Sequence, residues 1–195
     1  MEAAINPLLA ELSSLVADPV ERPEEKKRII QRAVDTAGQL TGRTALSCLY
    51  WLDETSETLQ RYAFNEAARG MPAEFTTDPA QKGSFLIGIA RAPVGRHVKK
   101  ISSDLDRQRI YMHDGCEAAY FVPVCVGLAL KGLLVIQAKK AGSISRTESA
   151  NKRIETLLNF VMAVKLEKSP QGHIPGQPVG PPPVPDGEVS VPPVG

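Results

Sequence analysis

The 195 residues carry 23 Lys and Arg against 22 Asp and Glu, a net charge of +1, and 43% of them are hydrophobic. That suits one domain of ordinary size with extensions. It removes the electrostatic case for nucleic acid or an anionic membrane as partner, and no apolar run reaches the about 18 residues that a bilayer span needs.

Met1-Glu2 opens the chain without a basic segment ahead of a long apolar stretch, so no secretory signal is expected. Asn6-Pro7 supplies an N-cap and a first-turn proline. Ile5, Leu8, Leu9, Leu12, Leu15 and Val16 then recur at helical spacing and form one apolar stripe. Pro19 and Pro23 break the chain before a second helix, from about Pro23 to Leu40, with Ile29, Ile30, Ala33, Val34, Ala37 and Leu40 on one side and Gly42 as a stop.

Thr44–Leu52 and Thr58–Phe64 read as a β-hairpin about the polar turn Asp53–Glu57. Residues 66–83 contain Gly70, Pro72, Pro79 and Gly83 and read as loop with a short helix. Ser84–Arg91 reads as a helix and His97–Ile101 as a strand, followed by a long loop. Ala119–Val126 and Lys131–Gln137 form a second apolar hairpin. Ser145-Arg-Thr-Glu148 has the form of a capping box and opens a final helix to about Lys168. Composition then changes. Residues 169–195 hold nine of the sixteen prolines and no Lys, Arg or aromatic residue, and are expected to be disordered or polyproline II-like. All 23 basic residues and 20 of the 22 acidic ones precede Ser169, leaving +3 there.

Cys48, Cys116 and Cys125 are odd in number and contain no CxxC pair. His97, His113 and His173 match no metal-ligand spacing. No metal, no cofactor and a cytoplasmic location are expected. Cys116, in Asp114-Gly-Cys-Glu117, is expected to be the accessible thiol, with Cys48 and Cys125 covered inside apolar strands.

The order helix, hairpin, helix and loop, strand, long loop, hairpin, helix resembles that of a GAF domain. Gly83–Leu105 is similar to the segment in which a GAF helix enters a strand ending in Asp. Tyr120–Ile136 resembles the hairpin of that family, with Pro123 ending the central stretch of its first strand. Thr147-Glu148 resembles the threonine-plus-acid start of the final helix. The resemblance covers roughly residues 25–167. It implies an α+β fold: an antiparallel sheet of about six strands flanked by helices, with a pocket roofed by loops, in a family whose ligands the fold does not choose. An N-terminal helical extension (1–22), a GAF domain (23–168) and a disordered Pro/Gly-rich tail (169–195) are the expected parts.

Members of the family bind cyclic nucleotides, haem, bilins, nitrate or nothing. Asn151-Lys152 continues as Arg153-Ile154 on a helix with a polar face, which does not follow the cyclic-nucleotide pattern. Cys116 is followed by Glu117 and not by the His usual at a bilin attachment site. The pocket candidates are Arg91, Arg96, His97, Asp104, Arg109, His113 and Cys116. Arg91, Arg96, Arg107 and Arg109 flank the expected pocket and suit a carboxylate or phosphate clamp; a solvated basic face is the simpler reading of them. Two functions compete. One is a non-catalytic regulatory or scaffold module that dimerises through its terminal helices and offers its tail or a helical face to a protein partner, with a small ligand as an option. The other is a cysteine-dependent redox enzyme of the free methionine sulfoxide reductase type, which needs a thiolate and a resolving thiol.

Overall fold

Pro23, Glu24 and Glu25 begin helix α1, Pro23–Thr41, where a missing N–H costs nothing and acids meet the positive end of the helix. The computed structural model describes residues 23–163 apart from 54, 56, 93, 102, 127–128 and 145–147, together with Asn6, Pro7 and Ala10, which are helical. The apolar stripe of residues 5–16, three of the four capping-box residues and the tail lie outside the described residues.

Six strands follow: β1 Leu46–Leu52, β2 Thr58–Phe64, β3 Glu74–Thr76, β4 Arg96–Val98, β5 Ala118–Val126 and β6 Ala129–Ala138. They form one sheet in the order β3-β2-β1-β6-β5-β4 with every neighbour antiparallel. The helices after α1 are α2 (Phe85–Arg91), α3 (Asp104–Arg109) and α4 (Glu148–Ala163), and a 3-10 turn occupies Glu66–Ala68. The expected α+β architecture stands.

Alternation along the central strands sends side chains to two cores. On one face Leu49, Val122, Val124, Leu134 and Ile136 pack under α1 and α4 with Ile29, Ile30, Val34, Ile154 and Leu158. On the other Cys48, Tyr50, Phe121, Leu133 and Val135 pack under α2 and the loops with Phe75, Leu86, Ile87, Ile110 and Met112.

Two joints hold the loops to the sheet. Asn65 caps the 3-10 turn: its Oδ1 accepts the N–H groups of Ala68 (3.1 Å) and Ser47 (3.0 Å), while its Nδ2 donates to Ala45 O (2.8 Å). Arg61 donates to Arg69 O and Met71 O at 3.1 and 2.7 Å with its guanidinium 4.4 Å from the Phe64 ring centroid. Tyr50 adds a hydrogen bond from its hydroxyl to Pro72 O at 2.9 Å.

Four expectations are corrected. Residues 74–76, read as loop, form edge strand β3 opposite Thr58–Gln60, seated by the buried Phe75. The long loop after β4 contains α3, started by Ser103, whose Oγ accepts from Asp106 N. Strand β4 ends at Val98 and does not reach Ile101. Pro123 lies inside β5 opposite Leu133; β4 stops pairing at Phe121, so the missing proline N–H falls where no third strand needs it.

Candidate functional site

Helix α3 decides where the candidate residues go. Asp104, Arg107, Gln108 and Tyr111 follow at helical spacing and line one cleft; Asp106 and Ile110, four apart, line another. The first cleft encloses about 460 Å³ and adds Gly70, Lys82, Met112, His113 and Asp114 to its walls. The second, about 410 Å³, is lined by Arg96, His97, Val98, Lys99, Lys100 and Ile101 beside Asp106 and Ile110.

The seven expected residues are therefore not brought together. Asp104 and His113 share the first cleft, and Arg96 and His97 the second. Arg91 sits exposed in the last turn of α2 and lines neither. Arg109 lies with its guanidinium 5.2 Å from the Phe85 ring centroid, outside both. The His97 ring stands edge-on to Tyr120, centroids 5.8 Å apart. Lys82, Arg107, Gln108, Tyr111 and Asp114 belong to the first cleft although only Arg107 was singled out. The signal for them was the Ser103 cap followed by acids in a first turn.

Cys116 is not the accessible thiol. It is fully buried, because its N–H donates to His113 O at 3.0 Å and Gly115, at φ 75°, turns the chain so that the sulfur enters the loop-side core. The polar neighbours that promised exposure point outward instead. Cys125 is the half-exposed one, and Cys48 is buried as expected. Burial pushes the Cys48 thiol up to about 12 despite the nearby Tyr50 hydroxyl and Arg61. Burial also raises Cys116, against Lys139 and Arg107, and Cys125 is raised by burial and by Glu155. A bulky maleimide on native protein should therefore modify Cys125 first and reach Cys48 and Cys116 only on unfolding. Fast native labelling of Cys116 would contradict the placement.

The interior between the sheet and its loops is occupied. Tyr50, Phe75, Leu86, Ile87 and Phe121 are all buried there to 1% exposure or less, with Tyr50 and Phe75 in ring contact at 5.0 Å. The polar space lies outside this packing, in the two clefts. Among the described residues no group of three His, Cys, Asp or Glu is placed to hold a metal ion. No helix among them is long and apolar enough to cross a membrane.

No family model matches the chain, and no curated protein sequence matches it. Solved structures do. The GAF domain of an Acinetobacter phosphoenolpyruvate-protein phosphotransferase superposes with a TM-score of 0.60 at 14% identity, over 84% of this chain and 94% of that one. The fold is that of a GAF domain. The phycoerythrobilin-bound GAF domain of a cyanobacterial phytochrome is also similar, with a TM-score of 0.57 at 17% identity over 84% and 94% of the two chains. So is the free methionine-R-sulfoxide reductase of Neisseria meningitidis in complex with its substrate, with a TM-score of 0.58 at 11% identity over 80% and 86%. The two GAF domains and the reductase thus superpose with similar scores, and at 11–17% identity the likeness is one of fold.

Proposed function

We propose that this GAF domain is a regulatory or scaffold module that performs no catalysis itself and acts by dimerising and by binding a protein partner. The observation that carries this reading is the filled loop-side interior, where side chains occupy the space a buried ligand or substrate would need. The apolar stripe of residues 5–16 precedes the GAF domain in the sequence, and an amphipathic helix outside a domain calls for a partner. The proline-rich composition of residues 178–185 suits recognition by an aromatic groove and serves the same end.

A reductase reading is favoured by the Neisseria similarity and opposed by the thiols. Cys116 precedes β5 and Cys125 lies near its far end, roughly 25 Å away at about 3.3 Å per strand residue. Cys48 faces Val135, itself opposite Phe121, so it is more than about 15 Å from either on the same spacing. A disulfide needs Cα atoms within about 7 Å. No thiol here resolves another, and each is held toward its protonated, unreactive form. With dithiothreitol as reductant, purified protein should reduce free methionine sulfoxide no faster than dithiothreitol alone. Turnover abolished by Cys116→Ser would overturn the non-catalytic reading.

A further inference from the structure

The first cleft contains a cation with no ion-pair partner among the described residues. Arg107 is half-buried, lines the cleft, and its guanidinium makes no hydrogen bond or ion pair with any other side chain or backbone group among the described residues. Its charge is close enough to act on the Cys116 thiol beneath the loop. Five N–H donors in a half-buried position demand acceptors, and the planar fork suits the paired oxygens of a carboxylate or phosphate. Lys82 and His113 share the same walls.

The loop that completes the cleft is held in one shape. Gln137, fully buried on β6, accepts from His113 N at 2.8 Å through Oε1 and donates from Nε2 to Tyr111 O at 2.7 Å. That clamp fixes Tyr111 at φ 48°, a conformation non-glycine residues seldom adopt. Gly83 fits against it: its N–H donates to Gln108 O at 2.7 Å, and an added Cβ would strike the Phe75 ring. The walls are thus set before anything binds.

Asp104 and Asp114 are exposed cleft residues and do not pair with Arg107 or Lys82. Their charge disfavours a polyanion and restricts the guest to one or two oxyanion groups. About 460 Å³ accommodates a small metabolite.

We propose that this cleft binds a small molecule bearing a carboxylate or phosphate, anchored by Arg107 with Lys82 in support. The inference goes beyond the scaffold reading and fails independently of it, because subunit mass is measured separately. The test is the thermal midpoint of full-length protein titrated with succinate and with inorganic phosphate, against sodium chloride at matched ionic strength. A saturable rise is expected with at least one of the two anions, since a ligand specific to the native state stabilises it by mass action. Which of the two saturates distinguishes a carboxylate guest from a phosphate one. Arg107→Gln should weaken the apparent affinity about 10–100-fold, the worth of a charge-assisted contact. Lys82→Gln should weaken it several-fold and serves if Arg107→Gln does not fold. Lys131→Gln, six residues along β6 from Gln137 and so roughly 20 Å away, should change nothing. No saturable rise with either anion, or equal weakening by Lys82→Gln and Lys131→Gln, would overturn the proposal.

Discussion

Gly132→Ala should cost the domain about 3 kcal/mol or more, the upper end for overpacking, because the atom in the way is backbone. Gly132 sits in β6 between Trp51 of β1 and Val124 of β5. A Cβ there would fall on the Tyr50 carbonyl oxygen, with Trp51 Cα also within 3.5 Å. A side chain can rotate away from an added methyl; a strand in the middle of a sheet cannot. The same change at Gly88 should have the opposite sign. Gly88 is exposed in α2 with open space where its Cβ would be, so Gly88→Ala should stabilise by about 0.5–1 kcal/mol through helix propensity and chain entropy. Urea unfolding of the two variants checks both signs. Equal effects would mean that the packing of β1 on β6 is wrong.

Asn65→Ala should cost about 2–4 kcal/mol, a drop in Tm of roughly 6–12 °C for a domain of this size. One amide serves three backbone groups, on Ser47, Ala45 and Ala68, and ties the 3-10 turn to the start of β1. Truncation leaves the Ser47 N–H in a fully buried residue without its acceptor, which costs more than the bond's net worth. Gly38 of α1 packs against the same amide, so the helix loses a neighbour as well. Asn65→Asp keeps both accepted bonds but sets a carboxylate oxygen against Ala45 O, so its loss should shrink as the pH falls and that carboxyl gains a proton it can donate. An Asp variant as unstable as the Ala variant even when protonated would remove Oδ1 from the account.

What was legible in the sequence follows from how many residues each element buries. Helix α1 shows its period because Ile29, Ile30, Ala33, Val34 and Ala37 all face the sheet. The central strands show as nearly unbroken apolar runs because both faces are covered. Strand β3 spans three residues with a single buried side chain, Phe75, too short for an alternation to appear. Helix α3 has one large apolar residue, Leu105, and it is 55% exposed, so no apolar period marks the helix. The site suffers for that reason. Which arginines share a cleft depends on the face of α3 they occupy, and an unseen helix assigns no faces. Cys116 was misplaced by its neighbours: Asp114 and Glu117 are polar, yet one turn at Gly115 carries the sulfur inward. Sequence polarity reports the average of a loop and not the direction of one side chain within it.

The scaffold account rests on self-association through the apolar stripe that precedes α1. Light scattering of the full chain at tens of micromolar measures it most directly, with Leu12→Asp placing a charge in the middle of that stripe. Twice the 21.1 kDa chain mass is expected for the unaltered protein. The variant should move toward monomer with its thermal midpoint almost unchanged. A monomer mass for the unaltered chain across that concentration range would contradict the account.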